Sequence, residues 1–217
     1  LLLLATWAAL EDACVPPRSL AGARVGVFVG VSSGDYGHLV RSDDASSFAD
    51  VYSGTGTHAS MTAGRIAHCF GFSGPALVVD TACSSSLVAV HIACQSLLGG
   101  ECDWAIVGGA QLLIDPRSLL LRGILKALSP DGRCKPFSER ANGFGMGEGV
   151  VVAVLKREQD ALRDGDRIDA MIRGTAVGHN GGGTGLTVPN RDAQIRVLRQ
   201  ALEVADVEPD SVEYLEA

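Results

Sequence analysis

Apolar positions along this chain fall into two kinds of run. Short β-branched runs stop at glycine or a polar turn, and longer runs repeat every three to four residues. Val25, Val27 and Val29 alternate with Gly26, Phe28 and Gly30, which predicts a strand over Arg24 to Val31 whose glycines let neighbours pack closely. Ala76 to Val79 is a compact apolar run and predicts a buried strand. Leu87 to Leu98 is apolar on nearly every side and closes on Gly99-Gly100, which predicts a helix buried in the core. Trp104 to Val107, followed by Gly108-Gly109, predicts the next short strand. Strand, helix and strand in that order make a βαβ unit, with parallel strands and a right-handed crossover.

The same reading extends to the rest of the chain. Thr57 to Phe70 predicts a helix with Ala59, Ala63, Ile66, Ala67 and Phe70 on one face, and Arg117 to Leu128 a leucine-rich helix. Val150 to Leu155 predicts a strand, Lys156 to Arg163 a short charged helix, and Asp169 to Val177 a further strand. Arg191 to Ala205 is amphipathic, with Ile195, Leu198, Leu202 and Ala205 on one face and Asn190 as N-cap. Val212 to Leu215 opens a last strand. Ser32 to Gly37, the polar Arg41 to Asp50, and the proline- and glycine-punctuated Ser129 to Gly149 are predicted loops. The alternation throughout gives an α/β fold class.

Composition narrows the function. A chain of 217 residues fits one domain or part of a larger one. Hydrophobic residues at 47% against aromatics at 5% imply a large aliphatic core. A net charge of −7 argues against a nucleic-acid partner, which selects a basic surface. The six cysteines (14, 69, 83, 94, 102 and 134) form no C-x-x-C pair, which argues against a zinc site or redox pair. Nothing marks a disulfide framework, so a reducing cytoplasm is expected. The apolar run at Leu1 ends at Leu10, too short to span a membrane and without signal-peptide flanks, so no membrane role is expected.

Cys83 is the candidate nucleophile. It lies between the predicted Ala76–Val79 strand and the predicted core helix, in the turn Asp80-Thr81-Ala82-Cys83-Ser84-Ser85-Ser86. The free N–H groups and positive dipole end of such a helix favour a thiolate and hold a neighbouring oxyanion. A strand–turn–helix placement is the logic of a nucleophile elbow. The helix end alone contributes only about 0.3–1 kcal/mol to a neighbouring charge, so the chemistry needs further groups.

Other motifs carry less. Gly143-Phe144-Gly145-Met146-Gly147-Glu148-Gly149 lacks the G-x-G-x-x-G spacing, because Glu148 and Val150 stand where glycine is required. Its glycines suit close backbone approach beside a site. No G-x-S-x-G occurs, which argues against a serine hydrolase. His91 lies about two turns along the same helix from Cys83, too far to reach back. His179, in a glycine-rich loop, is a minor candidate base, and His58 with Arg65 reads as a solvated stripe.

Asp80-Thr81-Ala82-Cys83-Ser84-Ser85-Ser86-Leu87-Val88-Ala89 resembles the active-site signature of β-ketoacyl synthase domains, in particular those of type I polyketide synthases. Gly64-Arg65-Ile66, Phe70 to Pro75, Leu128 to Phe137, Gly143 to Gly149 and Gly185 to Asn190 are similar to further family motifs, in the family's order. The resemblance implies a thiolase-like layered fold, mostly parallel mixed sheet with a buried nucleophile helix. It also implies that residues 1–217 are the N-terminal part of a ketosynthase domain, truncated at both ends.

The implied function is decarboxylative Claisen condensation of an acyl group on Cys83 with a malonyl-type extender, in polyketide or fatty acid biosynthesis, including antibiotic synthesis. The implied partners are acyl carrier protein, acyl and malonyl-type thioesters, and a second copy in a homodimer. No cofactor is bound directly, and the phosphopantetheine arm of the carrier protein is the substrate carrier. The family's two histidines and lysine have no counterpart here and are expected beyond Ala217. Arg122, Lys126, Arg133, Lys135 and Arg140 form either a carrier-docking patch or an ordinary solvated face. The alternatives are another thiolase-fold cysteine acyltransferase, or a non-catalytic carrier-docking or chain-length subunit, whose usual mark is loss of the nucleophile. Met146 stands where modular synthases often carry arginine, which leaves the subfamily open.

Overall fold

The computed structural model describes residues 1–32, 34–37, 52–182, 185 and 187–216. The predicted connection over 41–50 lies outside the described residues. The chain forms two compact units, Leu1–Arg157 and Glu158–Ala217.

The first unit is built on a four-stranded sheet of β1 (Val25–Gly30), β2 (Ala76–Val79), β3 (Trp104–Gln111) and β4 (Gly149–Lys156), in the order β2-β1-β3-β4. β1 pairs in parallel with β2, Val27 opposite Ala76, and with β3, Val25 opposite Trp104. β4 runs antiparallel to β3, with Trp104 opposite Lys156. The sheet is therefore mixed and mostly parallel, as predicted. All six residues of β1 are buried, which is why its run is apolar without interruption.

Alternate residues of β1 serve two cores. Val25, Val27 and Val29 join Leu10, Ala63, Ile66 and Ile106, where α1 (Leu2–Asp12) and α3 (Ser60–Phe70) cover one face. Phe28 joins Ala89, Ala93, Leu97 and Ala105 on the other face, covered by α4 (Ser85–Leu98). The βαβ reading holds in that β2 and β3 are parallel, but β1 lies between them, so α4 spans an intervening strand.

Several elements depart from the sequence pattern. Among the described residues β2 is an edge strand rather than a buried one, and Leu77 is 46% exposed because it has a sheet neighbour there on one side only. α4 is buried along one stripe, with Leu87 and Leu98 both 74% exposed, because the sheet covers only that side. The helix predicted from Thr57 begins three residues later, at Ser60, as α3, and a separate short helix, α2 (Tyr52–Thr57), precedes it. α5 (Pro116–Ile124) stops before Leu128, and Lys126 adopts a left-handed φ of +54° that turns the chain. β4 exposes alternate residues such as Val151, because it too is an edge among the described residues.

Polar groups close the sheet at one end. Asp103 accepts from Arg24 Nη2 and from Arg157 Nη2, each at 2.8 Å. The Arg157 hydrogen bond, joined by those of Arg24, holds the Asp103 carboxyl below the ordinary carboxylate range. Arg157 also donates to the Leu97 and Cys102 carbonyls, at 2.7 and 2.9 Å, and so pins the C-terminal end of α4.

The second unit contains α6 (Glu158–Asp164) and α7 (Arg191–Ala205). Asn190 caps α7 as predicted, its Oδ1 accepting from the Asp192 and Ala193 N–H groups. The covered stripe differs in detail, since Leu198 is 56% exposed while Ala193 is buried. The segment 169–177, predicted as a strand, has no regular secondary structure. It lies instead against α7: a Cβ on Gly174 would meet Ala205 N at 2.7 Å. Residues 212–216 likewise form no strand and are exposed. Apolar alternation supplies a face but not a partner, and a strand needs both.

Candidate active site

Cys83 occupies a single 3₁₀ turn, Ala82–Ser84, between the C-terminal end of β2 and the first turn of α4. Its side chain is exposed. The preceding residue, Ala82, has φ of +57°, a left-handed conformation that a residue with a Cβ adopts only where its surroundings enforce it. Side chains do the enforcing here. The Ala82 N–H donates to Asp80 Oδ1 at 3.1 Å. The Thr81 N–H donates to Ser85 Oγ at 2.9 Å, and Ser85 Oγ donates to the Ala82 carbonyl at 2.6 Å. Ser84 Oγ donates to the Thr81 carbonyl at 2.9 Å. None of these bonds uses the Cys83 N–H.

Two glycines set how close the elbow comes to the sheet. A Cβ on Gly30, the last residue of β1, would lie 2.5 Å from Ser86 N. A Cβ on Gly109 of β3 would lie 3.0 Å from Ser86 Cβ. The first turn of α4 therefore rests directly on the carboxyl ends of two parallel strands. The sequence pattern marks the glycines of β1 for close packing but not Gly109, which looks like a strand terminator.

The other cysteines lack this setting. Cys102 is fully buried in the core, and burial pushes the Cys94 thiol up. Cys14 follows α1 and Cys69 lies in the last turn of α3, both at helix C-termini. Cys134 Sγ accepts from the Gly145 N–H at 3.3 Å.

The loop after α5 is folded on itself. Lys135 Nζ donates to Asp131 Oδ1 at 2.8 Å, Asn142 Oδ1 at 2.7 Å and Ser129 Oγ at 3.0 Å. The Lys135 hydrogen bond, aided by Ser129, lowers the Asp131 carboxyl to about 2. Glu148 accepts from the Leu113 N–H at 2.6 Å, tying the glycine segment to the chain that follows β3. Of the expected basic patch, Lys135 is thus engaged inside the loop, and Arg122 donates to the Ser118 carbonyl. Lys126, Arg133 and Arg140 are exposed.

The remaining candidates stay apart from the elbow's bonds. Arg65 Nη2 donates to the Thr55 carbonyl at 3.0 Å, and His58 is exposed, so the pair forms no site. His179 Nδ1 accepts from the Gly181 N–H at 2.9 Å within its own loop.

A family model of the β-ketoacyl synthase N-terminal domain matches residues 1–161, and one of the C-terminal domain matches residues 169–217. The chain belongs to the β-ketoacyl synthase family. The junction between the two matches falls beside the boundary between the compact units at Arg157. The chain is 48% identical over 217 residues to one of the phenolphthiocerol/phthiocerol polyketide synthase subunits of Mycobacterium tuberculosis, covering all of this chain and 14% of that one. It is 49% identical over 216 residues to another of these subunits from the same organism, covering 12% of it.

Among solved structures it is similar to the ketosynthase from module 6 of the bacillaene synthase of Bacillus subtilis 168. The TM-score is 0.90 at 37% identity, over 99% of this chain and 36% of that one. It is equally similar to the oxazolomycin ketosynthase domain of Streptomyces albus JA3453, with TM-score 0.92 and 38% identity over 99% and 37%. The chain therefore has the thiolase-like fold and spans little more than a third of these solved chains. Among the described residues no helix is long and apolar enough to cross a membrane.

Proposed function

We propose that Cys83 is the nucleophile of a decarboxylative Claisen condensation. The observation that carries this reading is an exposed thiol, one residue after the left-handed Ala82, at the positive end of a core-packed helix. The Cys83 sulfur attacks the carbonyl carbon of an acyl group borne on the phosphopantetheine arm of an acyl carrier protein. The bond to the arm sulfur breaks, and the arm leaves as its thiol. A malonyl-type thioester then loses carbon dioxide, and the electron pair of the broken bond forms a carbanion. That carbanion attacks the acyl-Cys83 carbonyl and expels the Cys83 thiolate, leaving a β-ketoacyl thioester on the carrier. The Cys83 N–H is the donor assigned to the oxyanion of each tetrahedral intermediate. The arm is a substrate carrier, and the scheme asks no metal or nucleotide of this chain.

The polyketide setting, rather than fatty acid synthesis, is supported by the identity to the mycobacterial synthase subunits. Residues 1–217 span little more than a third of the solved ketosynthase chains they match, and the groups that stabilise the carbanion are assigned to the remainder of such a domain. The open side of α4 suits a further covering layer supplied there. A cytoplasmic homodimer completes the reading, and the exposed apolar edge strand β2 supports self-association. Lys126, Arg133 and Arg140 remain the candidate contacts for an acidic carrier.

The test is incubation of the full-length polypeptide with an acyl-pantetheine thioester. The expected result is one acyl mass on the Cys83 peptide, absent in Cys83→Ala. No adduct on the parent, or an adduct undiminished in Cys83→Ala, overturns the reading.

A further inference from the structure

We propose that Ser85 is the positioning residue of the elbow, the hydroxyl that sets the direction in which Cys83 points. This rests on Cys83 being the nucleophile. Ser85 is 5% exposed, and its backbone lies against the position a Gly30 Cβ would take, so its hydroxyl has little room to turn towards water. It spends both bonding roles on the elbow, accepting from the Thr81 N–H and donating to the Ala82 carbonyl. The two groups it joins flank the left-handed Ala82 on either side, so one side chain closes the strained turn in a ring.

The usual purpose of serine at this point does not apply. Serine at a helix start ordinarily caps the free N–H groups of the first turn. Here Ser84, the N-cap, makes no such bond, and the Ser85 hydroxyl also reaches backwards, to residues that precede the nucleophile. Packing alone would be met by alanine, the better helix former. The hydroxyl serves the turn. Ser84 acts on one side only, through Thr81, and leaves the Ala82 carbonyl to Ser85, whose backbone N–H donates to it beside the hydroxyl; the link from there to the Thr81 N–H is the hydroxyl's alone. With the Asp80 and Ser85 bonds made, the flanking N–H groups of residues 81 and 82 are occupied, and the Cys83 N–H is not drawn into the same ring.

The experiment compares Ser85→Ala, Ser85→Thr and Ser84→Ala in the full-length polypeptide. The readouts are the rate of Cys83 acylation by an acyl-pantetheine thioester, its dependence on thioester concentration, and the thermal midpoint. Small misplacement of a reacting group costs about a hundredfold in rate. Ser85→Ala is expected to lower the maximal acylation rate at least tenfold with the half-saturating concentration unchanged. Ser85→Thr, which keeps the hydroxyl, restores the rate to within a few-fold, and Ser84→Ala stays close to the parent. Parental acylation by Ser85→Ala, or equal loss in Ser85→Ala and Ser85→Thr at matched thermal midpoints, overturns the proposal. If Ser85→Ala does not fold, amide exchange of Thr81 in the unsubstituted protein decides: strong protection supports the proposal and free exchange overturns it. Failure of the parent itself to acylate sinks the Cys83 reading instead, so the two failures are distinguishable.

Discussion

Gly30 and Ser86 are in contact so close that a single added methyl on the glycine would lie 2.5 Å from the serine nitrogen. Backbone cannot yield as a flexible side chain does, so the strand end or the helix must shift. Gly30→Ala is expected to cost about 1–3 kcal/mol, the usual range for overpacking a filled interior. Chemical denaturation measures that cost, and acylation of Cys83 falls with it because the elbow rides on the same turn. A variant with parental midpoint and parental acylation would show that the contact does not fix the helix.

Alkylation should rank the cysteines. Iodoacetamide at neutral pH is expected to label Cys83 well before Cys94 and Cys102, since Cys83 is exposed, burial pushes the Cys94 thiol up, and Cys102 is fully buried. Peptide mass spectrometry over a time course reads the order. Labelling of Cys102 ahead of Cys83 would mean that the sheet core opens more readily than the elbow is reached.

The Lys135 network makes a prediction about acid. Asp131 is held at about 2 against an ordinary 3.8, chiefly by the Lys135 hydrogen bond. Because the folded value is the lower one, the network's stabilisation is complete above about pH 4 and is lost as pH falls from there through 2. Lys135→Met should move the Asp131 midpoint up towards its ordinary value, read by carboxyl carbon NMR. A midpoint that stays near 2 would assign the shift to Ser129 and the Arg133 N–H instead.

The exposed apolar residues predict poor behaviour of residues 1–217 on their own. Leu77, Leu87, Leu98, Phe137 and Val151 stand from 46% to 90% exposed. Such surface favours association, so light scattering should show aggregation at micromolar concentration. A dilute monomer with one sharp thermal transition would contradict this.

Where the chain's own neighbours decide an element, the pattern of residues suffices. β1 has strands on both sides and helices on both faces, and its unbroken apolar run says so. Asn190 caps α7 through atoms two and three residues away, which spacing alone reveals. The placement of Cys83 is legible for the same reason, because a short strand, a small-residue turn and a glycine-closed helix are local signals. Gly109 is not, since its role depends on a contact that only the assembled sheet creates, and Ser85 is not, since a serine at a helix start reads as an ordinary cap while its hydroxyl reaches back to Thr81 and Ala82. The segments 169–177 and 212–215 read as strands and are not, because strand pairing is a property of two segments and only one is written in each run. Lys135 reads as part of a surface patch because nothing in its sequence spacing shows that Asp131, Asn142 and Ser129 converge on it.

Arg157→Ala removes donors to Leu97, Cys102 and Asp103 at once, and is expected to lower both the denaturation midpoint and Cys83 acylation. Loss of hydrogen bonds to a charged donor costs about 1.5–3 kcal/mol each before relaxation. Unchanged acylation in a destabilised variant would show that the far end of α4 does not govern the near one.

α4 is a rod of 14 residues, about 21 Å long, seated at the front on two bare strand ends and held at the rear by a guanidinium. A rod fixed at both ends does not absorb a rear slip by bending, but delivers it as a change in the height of the sulfur. Losses of activity from substitutions at that rear anchor are then mechanical, and a more reactive thioester, which helps a chemically weakened thiol, leaves them uncorrected.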